Sequence, residues 1–234
     1  MEKTMFSIKL ANHIFTVQNQ YSYVERLCHG YLCDKPGIPI TVTEEEIERE
    51  QTADIQFSKE YLESLAVYRK ICEYLLHDDI LLFHASAVML DGKAYLFTAP
   101  SGTGKSTHAR LWREKFGNRL AVINDDKPLL SITKDCITVY GTPYAGKEHL
   151  QTNTCARVNA IVFLHQAPEN TVCRLNAHEA YPKLLNQAYR PADSTGMIKT
   201  MDLIKCLSQL PLYSLHCTIS QEAVDLLYSQ LKEL

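Results

Sequence analysis

Apolar residues recur along the chain with two different periods, and the change between them marks where the organisation changes. From residue 6 to 17 they alternate loosely (Phe6, Ile8 and Leu10, then Ile14, Phe15 and Val17), which predicts one or two strands. Tyr21 to Tyr31 sets Val24, Leu27, Cys28 and Tyr31 on one helical face, Pro36-Gly37 marks a turn, and Ile38 to Val42 reads as a further strand. Ser58 to His77 carries a long helical stripe of Leu62, Leu65, Ala66, Cys72, Leu75 and Leu76. No Pro/Gly/Ser linker and no internal repeat separates this part from the rest of the chain. Residues 1–77 therefore read as a small α+β appendage docked on the remainder, residues 78–234.

From Asp79 the pattern becomes strand-rich. Ile80 to Met89 is strongly apolar, with Phe83-His84-Ala85-Ser86-Ala87 inside it, and Leu90-Asp91-Gly92-Lys93 is a hairpin turn. Strands are predicted at Ala94–Phe97, Leu120–Ile123, Leu129–Thr133 and Ile137–Tyr140, the last two joined by a turn at Lys134-Asp135. Ala156 to Leu164 is a long buried-type strand with Thr171–Leu175 as its expected partner, and Leu212–Ile219 is one more. Helices are predicted at His178–Ala188, Met197–Leu207 and Gln221–Leu231, the last with Ser220 as N-cap and a Val224, Leu227, Tyr228, Leu231 stripe. Hairpins outnumber simple βαβ units. The expected class is α/β with mixed sheets, not a doubly wound nucleotide kinase.

Composition changes this picture little. Apolar residues make up 46% and charged residues 22% of 234, the balance of a globular chain. With 24 basic and 27 acidic residues the net charge is −3, so nothing points to nucleic acid or to a membrane surface as a partner. The acid run Glu44-Glu45-Glu46, Glu48 and Glu50 has no interleaved histidine and reads as a solvated helix face or edge. Eight scattered cysteines form no C-x-x-C pair, which favours reduced thiols, and Cys28-His29 with Cys33 lacks a second ligand pair for a metal. No apolar signal core comes after Met1–Met5 and no stretch reaches membrane-spanning length, so a cytoplasmic protein is expected.

The chemistry is concentrated in one stretch. Tyr95-Leu96-Phe97-Thr98 runs into Ala99-Pro100-Ser101-Gly102-Thr103-Gly104-Lys105-Ser106-Thr107, and Ala109, Trp112 and Phe116 then recur at helical spacing before Gly117. This is the pattern G-x-x-x-x-G-K-[ST], with Ala99 in place of the first glycine. Such a loop wraps backbone N–H groups around a polyphosphate, its lysine reaches the outer phosphates, and its Ser/Thr hydroxyl holds Mg²⁺. The phosphates then lie at a helix N-terminus, where the dipole favours negative charge. A plain glycine-containing turn would explain Gly102 and Gly104, but not Lys-Ser-Thr where a helix starts.

Phosphoryl transfer also needs a carboxylate for the metal and a group to take the acceptor's proton. Asp125-Asp126 can supply both, ending the next strand about twenty residues past Lys105, beside the phosphate-loop strand. A surface Asp-Asp turn is the plain alternative. His84, one hairpin before the loop, is by itself an ordinary core or edge histidine.

Taken together, Phe83-His84-Ala85-Ser86-Ala87, Phe97 to Thr107 and Ile123-Asn124-Asp125-Asp126 resemble two related families in the same order: HPr kinase/phosphorylase, in its C-terminal catalytic domain, and ATP-dependent phosphoenolpyruvate carboxykinase. The resemblance spans about residues 80–130 and implies a P-loop fold of that lineage for 78–234, with ATP and Mg²⁺ as cofactors. It implies phosphate binding by Ser101, Gly102, Thr103, Gly104, Lys105, Ser106 and Thr107. It further implies metal ligation by Ser106 and Asp126, and Asp125 as general base, though which aspartate takes which role stays open. His84 would either tune the base or approach the metal.

The chain is too short for the carboxykinases' extra substrate domain, and the glycine-rich signature and arginine-bearing loop of the HPr enzymes are not found. Gly141–Lys147 and Tyr189-Arg190-Pro191-Ala192-Asp193 are equally readable as substitute substrate loops or ordinary connections. The expected activity is an ATP-dependent kinase acting on a hydroxyl, a serine of a small protein or peptide. The alternative is an ATP-binding sensor or assembly module without transfer. The resemblance also allows a homo-oligomer, which composition neither supports nor opposes.

Overall fold

The structure is a computed structural model that describes residues 4–233. The chain divides into two compact units, Met1–Asp78 and Asp79–Leu234.

In the first unit, β1 (Thr4–Leu10) and β2 (His13–Asn19) form an antiparallel hairpin, and β3 (Ile38–Thr41) runs parallel to β2. The hairpin turn is Ala11-Asn12, both at positive φ (45° and 69°), the backbone that matches the twist of a two-residue connection. A short helix α1 (Tyr23–Leu27) precedes β3. The acid run forms α2 (Glu44–Glu48), started by a capping box in which the Thr43 hydroxyl accepts from the Glu46 N–H and the Glu46 carboxylate accepts from the Thr43 N–H. Helix α3 (Lys59–His77) is capped by Ser58 and buries Leu62, Ala66, Val67, Ile71, Cys72, Leu75 and Leu76 at helical spacing. Phe6, Ile8 and Leu10 of β1 and Phe15 and Val17 of β2 are buried at period two.

The second unit is built on a nine-stranded mixed sheet. Its strands are β4 (Ile80–Leu82), β5 (Ser86–Leu90), β6 (Lys93–Thr98), β7 (Leu120–Asn124), β8 (Leu129–Ile132), β9 (Ile137–Tyr140), β10 (Cys155–Gln166), β11 (Thr171–Leu175) and β12 (Leu212–Cys217). They lie in the order β4-β8-β9-β10-β6-β5-β7, with β12 on β10 and β11 on β12. This is a mixed α/β architecture. The long β10 organises it: one side pairs in parallel with β6, while the other pairs first with β9 and then, from Ile161 onward, in parallel with β12.

That arrangement corrects the expected pairing of Thr171–Leu175. Both sides of β10 are already occupied, so β11 hydrogen-bonds to the free side of β12 instead. The helices are α4 (Lys105–Phe116), α5 (Ala177–Gln187), α6 (Ser194–Leu207) and α7 (Gln221–Leu231). Trp112 is fully buried in one cluster with Tyr95, Phe97, Val162, Leu215, Val224 and Leu227, which fixes α4 and α7 over the central strands. Its indole N–H donates to His108 Nε2 at 3.0 Å, and burial pushes that imidazole down to about 4. No disulfide joins any of the eight cysteines, and among the described residues no helix is long and apolar enough to cross a membrane.

Candidate active site

The glycine-bearing loop leaves the end of β6 and enters α4. Two of its residues need backbone that side chains rarely adopt: Gly102 lies at φ 79° and Gly104, the N-cap of α4, at φ 112°. The helices α2, α3, α5, α6 and α7 each begin with a side chain accepting a hydrogen bond from their first turn. Helix α4, like the five-residue α1, has no such cap. Its first N–H groups have no intrahelical acceptors, the arrangement that suits an anion.

Ser101, Gly102 and Ser106 are exposed, Thr103, Gly104 and Thr107 half-buried, and Lys105 buried. The Lys105 ammonium donates to the Ala99 carbonyl at 3.0 Å and to that of Pro100 at 3.5 Å, so it spans its own loop. Burial pulls its pKa below that of an ordinary lysine; the Asp126 charge opposes this and Lys127 adds to it. Across the loop, Gln166 at the end of β10 donates to the Thr103 carbonyl at 3.2 Å.

The apolar run from Ile80 to Met89 predicts His84 within a strand. It lies instead in an irregular link between β4 and β5, because successive N–H groups alternate between two segments: Phe83 to the Pro128 carbonyl, His84 to that of Gln187, and Ala85 back to that of Asp126. The ring is fixed at both nitrogens, with Nδ1 3.2 Å from Gln187 Oε1 and Nε2 3.1 Å from Asp126 Oδ1. The His84 carbonyl accepts from the Thr98 hydroxyl at 2.9 Å, which ties the link to the last residue of β6.

The Asp pair also sits differently from expectation. Strand β7 is not beside β6, since β5 lies between them. The pair reaches the loop through the start of β5, where the Ser86 hydroxyl donates to the Asp125 carbonyl at 3.0 Å. Asn124 shapes the turn. Its Oδ1 accepts from the N–H groups of Asp126 (2.8 Å) and Lys127 (2.7 Å), while its amide donates to the Thr142 carbonyl at 3.1 Å.

The two carboxylates have different surroundings. Asp126 is half-buried between His84 and the Lys127 ammonium, which pairs with its Oδ2. Burial alone would raise its pKa, but the hydrogen bond from His84 and the charge of Lys127 outweigh that and hold it well below the usual carboxylate range. Asp125 is buried, with Oδ1 accepting from the Gly146 N–H at 2.7 Å and Oδ2 without a hydrogen-bond partner among the described residues. A Cβ on Gly146 would lie 2.6 Å from that second oxygen, so the glycine is what lets the loop approach.

His84, Lys105, Asp125 and Asp126 are therefore linked through Thr98, Ser86 and the Asn124 turn. The Gly141–Lys147 loop buttresses Asp125 and Asn124. In the Tyr189–Asp193 segment, the Tyr189 N–H donates to the Leu82 carbonyl and Asp193 caps α6. The sequence assigns no individual role to Asn124 and Gly146, though both lie in singled-out segments, and does not single out Lys127 or Gln187. Lys127 could have been noticed as a cation adjoining an acid pair. Gln187 lies 103 residues from His84 and carries no local signal.

Among the described residues no group of three or more His, Cys, Asp or Glu could hold a metal by itself. A nucleotide-borne Mg²⁺ needs no such cage, since it takes one or two protein ligands and completes its shell with phosphate and water. The exposed Ser106 hydroxyl and the ionised Asp126 fit that donor set.

No protein-family model matches the chain, and no curated protein matches it. Among solved structures it is similar to the HPr(Ser) kinase/phosphatase from Coxiella burnetii. The identity is 14%, over 52% of this chain and 87% of that one, with a TM-score of 0.29. That likeness is too loose to carry an assignment.

Proposed function

We propose that the Asp79–Leu234 unit binds Mg·ATP and transfers a phosphoryl group to a hydroxyl, a serine of a small protein or peptide. One observation carries the reading: a capless, glycine-bearing helix start with a buried lysine is joined through Thr98 and His84 to an acid pair from a separate strand. A chance motif would have no reason to be wired to two carboxylates and a histidine.

In this reading the N–H groups of Ser101–Thr107 and the Lys105 ammonium hold the phosphates, and Ser106 and Asp126 hold the cation. The nucleotide supplies the phosphoryl group, and the cation offsets the charge of its phosphates. His84 acts through Asp126, donating to Oδ1 and keeping that carboxylate ionised. A carboxylate held so far toward its charged form is a poor proton acceptor and a good cation ligand. Asp125, with one buried oxygen lacking a partner, is the group left to take the acceptor's proton.

The test is purified protein with Mg²⁺, γ-labelled ATP and a panel of serine-bearing small proteins and peptides, analysed by mass spectrometry. Serine phosphorylation that disappears in Lys105→Ala is expected. Nucleotide-dependent thermal stabilisation with no label on any acceptor would favour a nucleotide sensor instead.

A further inference from the structure

Lys127 is held unlike the other site cation. Its main chain is pinned at both ends, the N–H donating to Asn124 Oδ1 at 2.7 Å and the carbonyl accepting from the Thr142 hydroxyl at 2.9 Å. Its side chain is about one-third exposed (37%). Its ammonium pairs with Asp126 Oδ2, on the same carboxylate whose Oδ1 is taken by His84. It is also close enough to Lys105 to disfavour that residue's charged form. One ammonium thus pairs with the Asp126 carboxylate, while the other, bonded to the carbonyls of its own loop, lies near enough to sense the charges of both.

We infer that Lys127 is a resident counter-ion of Asp126 that competes with a divalent cation for the carboxylate and, once displaced, turns to the nucleotide phosphates. The inference rests on the nucleotide-site reading and adds a residue and a binding order to it. With no ligand present, Lys127 neutralises Asp126 and a cation alone gains little by entering. A cation arriving with phosphates displaces the ammonium and also provides it with a new anionic partner. The site therefore takes metal and nucleotide together in preference to metal alone. The gain from a relocated charge is Coulombic and needs no change in the backbone.

Two binding measurements on the full chain test this, neither depending on turnover. The first is Mn²⁺ binding to nucleotide-free protein, followed by electron paramagnetic resonance. Lys127→Met should tighten Mn²⁺ binding by about tenfold, the scale expected when one adjacent positive charge is removed, and Lys127→Arg should stay near wild type. The second is binding of a fluorescent ATP analogue at saturating Mg²⁺, where Lys127→Met should weaken affinity several-fold.

Opposite signs in the two experiments are the signature, because a residue that merely supported the fold would weaken both. Mn²⁺ binding unchanged or weakened in Lys127→Met overturns the inference, whatever the nucleotide result. An analogue that binds neither wild type nor variant would overturn the nucleotide-site reading instead, and with it the phosphate half of this inference. The Mn²⁺ arm would still judge the counter-ion role by itself.

Discussion

Glu63 in the first unit and Asp125-Asp126 in the second both carry carboxylates out of bulk water, and their partners differ. Glu63 is fully buried, and its two oxygens accept from the N–H groups of Gln20 (2.5 Å) and Tyr21 (3.0 Å). Burial dominates and raises its pKa in spite of those bonds. Both of its oxygens are engaged by main chain, so its work ends with fixing the segment after β2. In the second unit Asp126 is held by a histidine and a lysine, and Asp125 keeps one buried oxygen without a partner. A carboxylate satisfied by backbone is structural, whereas one left unsatisfied or held by exchangeable cations has capacity for a ligand.

The largest consequence should come from removing the phosphate-side charge. Lys105→Ala is expected to lower phosphoryl transfer by about 10³-fold or more, the scale of losing a preorganised charge at the transferring group. The check is a steady-state assay on the serine acceptor, with the pH dependence of the first unit left unchanged. Next comes Asp125→Asn. Loss of a general base is worth about 10²–10⁴-fold, and it should appear in kcat with the Kd for ATP nearly constant. Normal turnover in that variant would remove Asp125 from the chemistry and make it another Glu63.

Gly146→Ala should have a smaller effect that reads on stability and turnover together. Its methyl would meet Asp125 Oδ2 at 2.6 Å, and relieving such an overlap costs about 1–3 kcal/mol. Resistance to chemical denaturation and kcat should both fall, whereas a variant as stable and active as wild type would mean that the loop does not hold Asp125.

The mildest test is pH. The Asp126 pKa is lowered from 3.8, so the stability it contributes is present above that value and is lost as pH falls below it. The Glu63 pKa is raised from 4.5, so its contribution is present below that value and is lost as pH rises past it. Urea midpoints across this acid range should show Asp126→Asn losing less stability than wild type on acidification. Glu63→Gln should lose less than wild type as pH rises from about 4 to 7. The same sign for both would erase the contrast.

Much of the secondary structure was legible because single segments carry their own signals. The Leu62-to-Leu76 stripe predicts α3, and Ser220 before an apolar stripe predicts α7. The mixed α/β class comes from hairpin turns such as Asp91-Gly92. Strand neighbours were less legible, since they depend on which edges remain free. Thr171–Leu175 pairs with β12 because β10 is full, and β7 stands one strand away from β6 because β5 intervenes.

In the site, the loop and the acid pair are local patterns and could be named from the chain. Their support could not. Gln187 reaches His84 across 103 residues, and Gly146 matters through the room it leaves for Asp125, which no residue type announces.

The central claim is that the loop from Ser101 to Thr107 is a nucleotide site. Calorimetric titration of the wild-type chain with Mg·ATP, paired with the same titration of Lys105→Ala, tests it most directly. Saturable binding at one site per chain is predicted, with a thermal stabilisation of about 2.7 kcal/mol at a hundred times Kd, and both should be lost in the variant. Absence of binding at millimolar nucleotide, or binding that Lys105→Ala leaves unchanged, would contradict it.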